Sequence, residues 1–233
     1  MKCAITSFLA AALIVITVAP ASPQARLQRE LDRGLYDAAE SGTIDRVREM
    51  LAAGANVNAA INGDGSALIA AARRGHMEMA LLLLDRGANP DLGVKGDGTP
   101  LIAAARRGDM ELARLLLDRG ANPNTGLEGD GSPLIVASAH GQLAMMEFLL
   151  ARGAELELVV RGDETPLIKA CESGQLASAK WLVQRGADVN ARVLVNENYR
   201  GRVVDEWRTP LSMARRNGHS AIVSFLLSVG ARE

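Results

Sequence analysis

The chain has 233 residues, a formal net charge of −1, 48% hydrophobic residues and only 3% aromatic ones. That length supplies one sizeable domain or two small ones, and the near-neutral balance gives no support for nucleic acid as a partner, which calls for a clear basic excess. Abundant Ala, Leu and Gly suit closely spaced small helices better than a β-sandwich.

The chain opens "MKCAITSFLAAALIVITVAPASPQA". Lys2 supplies a positive start, Ala4 to Ala19 form an apolar run, and Ala19-Pro20-Ala21 offers small residues for cleavage. Residues 1–21 therefore read as a secretory signal cut after Ala21, since the run falls short of the ~20 residues a spanning helix needs. Periplasmic or secreted localisation is the expectation, and an uncleaved membrane anchor is the alternative. Cys3 precedes the apolar run, where a lipidated cysteine would come after it. Loss of the segment removes Lys2 and moves the charge from −1 to −2, leaving Cys171 as the one thiol. With no internal disulfide, stability has to come from packing. The charged stretch "RLQRELDRG", Arg26 to Gly34, is expected to cover the rest of the chain at its N-terminal end, with residues 22–33 as a capping segment.

From about residue 34 the chain repeats itself. Gly42, Gly75, Gly108, Gly141 and Gly174 recur every 33 residues, as do Gly54, Gly87, Gly120, Gly153 and Gly186. Both columns then jump by 44 residues, to Gly218 and Gly230, so one junction carries 11 extra residues. Six units result, at about 34–65, 66–98, 99–131, 132–164, 165–208 and 209–233. In the third, Thr99 is suited to an N-cap and Pro100 to the first helical position. The spacing predicts a helix over Leu101–Arg107, broken by Gly108, and a second over about Asp109–Arg119, closed by Gly120. Leu112, Leu115 and Leu116 share one face of that second helix, and Asp97-Gly98 marks a tight turn between units. One such helix pair has no core of its own, so neighbours at the same period must bury each other's apolar faces. The expected fold is an all-α solenoid of six helix-turn-helix units with short β-hairpin turns.

These residues resemble the ankyrin repeats. The resemblance rests on the 33-residue period, on "TPLIAAARRGDMELARLLLDRGANPN" and on "ESGTIDRVREMLAAGANVN", and covers about Leu35 to Glu233. Two departures stand out. Ile69, Ile102, Ile135 and Ile168, with Ser212 in the last unit, replace the histidine that usually comes after Thr-Pro-Leu, so an apolar contact is expected in place of a polar link. The hairpin tips carry Gly-Asp-Gly, which predicts a different turn type. In the last unit Ser220, Ser224 and Ser228 line one helical face, as expected where no further unit packs.

No constellation for catalysis emerges. His76, His140 and His219 sit beside the mid-unit glycines, which assigns them to inter-helix turns rather than to metal or a triad. Cys171 stands where other units have alanine and reads as a small buried hydrophobe. Asp64, Asp97, Asp130 and Asp163 form a column at the tips, but tips about 10 Å apart cannot share a calcium ion whose ligands lie at about 2.3–2.6 Å. Arg161-Gly162-Asp163 belongs to the same turns. No cofactor, metal site or small-molecule substrate is expected.

In ankyrin stacks, the hairpin tips and first helices form a concave face that holds partners. The resemblance places Arg73, Arg74, Arg106 and Arg107 on that face as a local cationic strip, with Asn62, Lys95, Glu128 and Arg161 at the tips. Guanidinium groups there would suit carboxylates or phosphates, and the alternative is a solvated helix face with the nearby aspartates as counter-charges. The insertion "ARVLVNENYRGRVVDEWRTPL", Ala191 to Leu211, alternates about "NENYRG" and predicts a lengthened hairpin carrying Tyr199, Arg200 and Trp207. Aromatic residues and arginine are favoured at interface centres. The expected function is that of a monomeric, exported, non-catalytic bacterial module that binds another protein. The alternative is a membrane-tethered accessory of a sensor or peptidase system, since the "GDGxPLIxAA" style is similar to ankyrin tails on such membrane proteins.

Overall fold

The structure is a computed structural model describing residues 22–61, 63–161, 163–199 and 202–232. The expected signal segment, residues 1–21, lies outside the described residues, as do Asn62 and Arg200.

Six helix pairs run in succession among the described residues: α1 (Pro23–Ser41) with α2 (Ile44–Ala52), α3 (Ala67–Arg74) with α4 (Met77–Asp85), and α5 (Pro100–Arg107) with α6 (Met110–Asp118). Then come α7 (Pro133–Ala139) with α8 (Leu143–Ala151), α9 (Pro166–Glu172) with α10 (Leu176–Gln184), and α11 (Pro210–Arg216) with α12 (Ser220–Ser228). The first helices of the pairs pack on one another in single file, and each second helix packs against its own first helix. Alanine makes that file possible. Ala38, Ala71, Ala104, Ala137, Ala170 and Ala214 stand at one repeated position and are all buried, so neighbouring backbones approach closely. Leu68, Leu101, Leu134, Leu167 and Leu211 fill the equivalent interior place in successive units, all buried.

The local chemistry explains each element. Ser66, Thr99, Ser132, Thr165 and Thr209 cap the first helices, each hydroxyl accepting from the amide three residues on. Those amides belong to Ile69, Ile102, Ile135, Ile168 and Ser212, and the four isoleucine side chains are buried, giving the expected apolar contact. Gly75 and Gly108 take φ of +73° and +70°, a left-handed turn that ends one helix and opens the next. At the hairpin tip both glycines of Gly-Asp-Gly have positive φ, +91° at Gly96 and +76° at Gly98. The tip closes with Val94 N donating to Gly98 O at 3.1 Å and Gly98 N donating to Val94 O at 2.9 Å.

Polar rungs accompany the apolar file. In the loop after each of the first five second helices, a side chain accepts from a backbone amide of the next unit. Asn58 accepts from Asn89 N at 2.7 Å, Asp91 from Asn122 N at 2.9 Å and Asn124 from Glu155 N at 2.8 Å. Glu157 accepts from Asp188 N at 3.0 Å and Asn190 from Arg232 N at 2.7 Å. The aspartates of the tips also reach back one unit. Asp130 accepts from Gly96 N at 2.8 Å, and Asp163 accepts from Gly129 N at 2.9 Å and Gly131 N at 3.1 Å.

Two expectations about the ends are revised. The charged segment is no separate cap: it runs unbroken into the first unit as α1. Its residues from 22 to 30 are exposed, and contact with the stack begins with Gln28 donating to Gly54 O at 3.1 Å and Asp32 accepting from Asn56 N at 2.7 Å. Ser220, Ser224 and Ser228 mark the outer flank and not the end, because Met77 and Leu81 at the equivalent places of α4 are exposed too. The end of the described stack is marked by Ser212 and Arg215, exposed where every other unit has a buried residue.

One interior position is poorly matched. Met79, Leu112, Met145 and Ile222 fill a buried column in which α10 has Ser178, whose hydroxyl is buried with no hydrogen-bond partner. An unpaired buried hydroxyl destabilises, and removal of it relieves that cost. Ser178→Ala is therefore expected to stabilise the chain by about 1 kcal/mol, seen as a higher urea midpoint with unchanged slope.

Candidate protein-binding site

The expected cationic strip is largely engaged within the stack. Arg73 is half-buried and ion-paired with Asp97 of the next tip, and Arg74 pairs with Glu40 of the preceding unit at 2.7 Å. Arg107 donates to the carbonyl of Arg73 at 3.3 Å. Arg106 is exposed and has no ion pair among the described residues. At the tips, Lys95 and Glu128 face each other at 3.8 Å on neighbouring units, while Arg161 is exposed. These arginines therefore act chiefly as stitches between units, and the strip presents much less charge than four free guanidinium groups would.

The long hairpin is present. Strands β1 (Ala60–Ile61) and β2 (Gly65–Ser66) form the short hairpin of the first junction, and β3 (Val193–Tyr199) pairs antiparallel with β4 (Arg202–Arg208) at the fifth. Tyr199 lies opposite Arg202 at the far end of the long hairpin. At its foot the two faces differ. Val195 and Arg208 point inward and are buried, whereas Leu194 and Trp207, directly opposite each other, point outward. Trp207 is 55% exposed, so it packs beneath nothing.

A buried ion pair fastens this hairpin to the stack. Arg208 pairs with Glu164, and Lys169 approaches the same carboxylate at 3.4 Å. Glu206 on β4 in turn holds Arg216 of α11 at 2.8 Å. Glu164 and Arg208 stand where the earlier units have Gly65, Gly98 and Gly131, the glycines that let a short tip close. Burial lowers the affinity of Lys169 for its proton, but the carboxylates of Glu172 and Glu164 outweigh it and hold the ammonium pKa above its ordinary value. The sequence carried a signal for this network, the loss of glycine from that column, which repeat reading passes over.

Between the foot of the hairpin and α11 lies an open cleft of about 490 Å³, lined by Arg192, Trp207, Thr209, Leu211, Ser212 and Arg215. The Arg192 guanidinium sits 5.0 Å from the Trp207 ring centre. A smaller hollow of about 190 Å³ adjoins it, sharing Arg192 and Thr209 and adding Asn190 and Arg232.

The titratable groups have structural duties. His76 donates through Nε2 to the carbonyl of Glu40 at 3.2 Å, and His219 to that of Glu172 at 3.0 Å, linking adjacent units. His140 bonds its own helix, Nδ1 to Val136 O at 2.9 Å. Burial pushes the Cys171 thiol up to about 12, so it stays protonated at neutral pH and is no nucleophile. Burial likewise raises the Asp163 pKa, with the amides of Gly129 and Gly131 opposing it.

The fold thus defines a stacked helical-repeat scaffold whose non-repeating surface is the hairpin and its cleft. Family models described as ankyrin repeats match residues 35–127 and 125–193 in three-copy form, and residues 167–227 in many-copy form. The chain belongs to the ankyrin-repeat family, and its repeats make it a protein–protein interaction module, of a kind that is generally non-catalytic. No curated protein matches the chain.

Breaking the buried pair from one side leaves the Glu164 carboxylate with Lys169 as its remaining cation. Arg208→Met is expected to destabilise the chain in chemical denaturation, by less than the roughly 3–5 kcal/mol of a fully stranded charge, and the Glu164→Met/Arg208→Met double variant to recover most of it. Asp163 gives a pH signature. Its folded carboxyl holds a proton more tightly than the unfolded one, whose ordinary value is 3.8. Stability relative to Asp163→Asn should therefore rise as pH falls through the window just above 3.8, and stay flat near neutrality. Urea titrations of both proteins across that range measure the difference.

Proposed function

We propose that the protein is an exported, non-catalytic binding module that holds or regulates another envelope or secreted protein. It grips through the face formed by its first helices and tips, and above all through the long hairpin. The observation that carries this reading is Trp207. It lies on an element the stack does not need, exposes more than half its surface, and borders a cleft with Arg192. Stacked units lose little conformational freedom on docking, which favours binding by a preformed surface. Arg106 on α5 and Lys95, Glu128 and Arg161 at the tips are exposed and extend that surface, with Tyr199 at the far end of β3.

Export is supported by the character of residues 1–21 and by the start of the first helix just after them. Ser22 is the N-cap of α1, its hydroxyl accepting from Ala25 N at 3.2 Å, so a cut after Ala21 leaves that helix whole. Among the described residues no helix is long and apolar enough to cross a membrane. A tether would accordingly rest on residues 1–21.

Affinity capture from an envelope extract tests the binding. The intact chain should retain a specific exported protein, and replacement of residues 193–204 by a short turn should abolish capture. Arg106→Glu, which leaves the inter-unit stitches intact, should weaken it less. Unchanged capture after trimming would remove the hairpin from the interface. Intact mass decides the N-terminus: a start at Ser22 supports release, and a retained Met1 supports tethering.

A further inference from the structure

We infer that the cleft at the hairpin's foot takes a short acidic segment of the partner, with an apolar or aromatic side chain laid against Trp207. This deepens the protein-binding reading above and rests on it.

Position is the first argument. Ile69, Ile102, Ile135 and Ile168 are buried beneath the next unit, and so are Ala72, Ala105, Ser138 and Cys171. At the sixth unit the same two columns hold Ser212 and Arg215, both exposed and both lining the cleft. The surface that each earlier unit uses to hold its neighbour is here open. Its chemistry has also changed, from aliphatic to hydroxyl and guanidinium, so it no longer suits another apolar helix pair.

Charge is the second argument. Arg192 and Arg232 are exposed, line the adjoining hollows, and have no carboxylate within ion-pair distance among the described residues. A carboxylate entering between Arg192 and Arg232 gains charge-assisted hydrogen bonds. The cation on the indole is already placed by the contact between Arg192 and Trp207. A cleft of about 490 Å³ holds a side chain and its flanking backbone, and the smaller hollow continues it past Thr209. Tryptophan and arginine are among the residue types enriched at the energetic centres of interfaces.

Trp207 is also the reporter. The chain has two tryptophans, so Trp181→Phe isolates its emission. The probes are a short peptide of glutamates around one phenylalanine and its lysine counterpart, titrated into the full mature chain. The acidic peptide should shift the Trp207 emission saturably. Arg192→Glu and Arg232→Glu should each weaken that response by about tenfold or more, with circular dichroism unchanged. No response to the acidic peptide, an equal response to the lysine peptide, or a response that survives Arg192→Glu overturns the inference. A response to anionic lipid vesicles without one to the peptide overturns it as well. The capture experiment is read separately: hairpin-dependent capture with a silent peptide leaves the binding module standing and removes only the acidic partner.

Discussion

Every feature of this protein depends on one constraint: a pair of short helices cannot bury its own apolar surface. Alanine at one position of each first helix lets the neighbouring backbone approach, and leucine beside it fills the space between. Stability therefore resides at the junctions and adds along the stack. The polar rungs from Asn58 to Asn190 obey the same constraint, since the loops between units leave backbone amides that the next unit must satisfy. A helical pair removed from the file would lose both its core and its hydrogen-bond partners.

The same logic accounts for the arginines. On a helical wheel the paired arginines of α3 and α5 look like free surface. In the stack Arg73 meets the carboxylate of the tip that ends its own unit, and Arg74 and Arg107 meet a carboxylate and a carbonyl of the preceding unit. Histidine performs that last duty at two other junctions, where His76 and His219 donate to the preceding unit. Different residue types thus solve one geometric problem, the exposed carbonyls at the end of each first helix.

Function concentrates where the repeat is broken. Short tips close on glycines with positive φ; that column holds Glu164 at the fourth junction and Arg208 at the fifth. At the fifth junction the inserted residues form a seven-residue strand on each side. The ion pair between these two residues is buried, an arrangement that seldom adds stability over an apolar alternative but does fix geometry. Here it holds the foot of the hairpin against α9 and α11, and so sets the cleft beside Trp207.

The sequence alone determined the architecture, because a fixed period forces equivalent residues into equivalent places. The boundaries of the helices, their Ser and Thr caps, the glycine turns and the long hairpin all come from local rules that act within one unit. What the period could not convey is the identity of partners one unit away. That Asp163 would accept from Gly129 and Gly131, that Arg74 would be tied to Glu40, and that the serines of α12 line the outer flank depend on the rotation between successive units. Likewise, Ser212 and Arg215 become a cleft wall only because nothing among the described residues covers them, a fact of packing with no local signature. Periodicity fixes which side chains share a role, and only the stacked geometry decides which atoms meet.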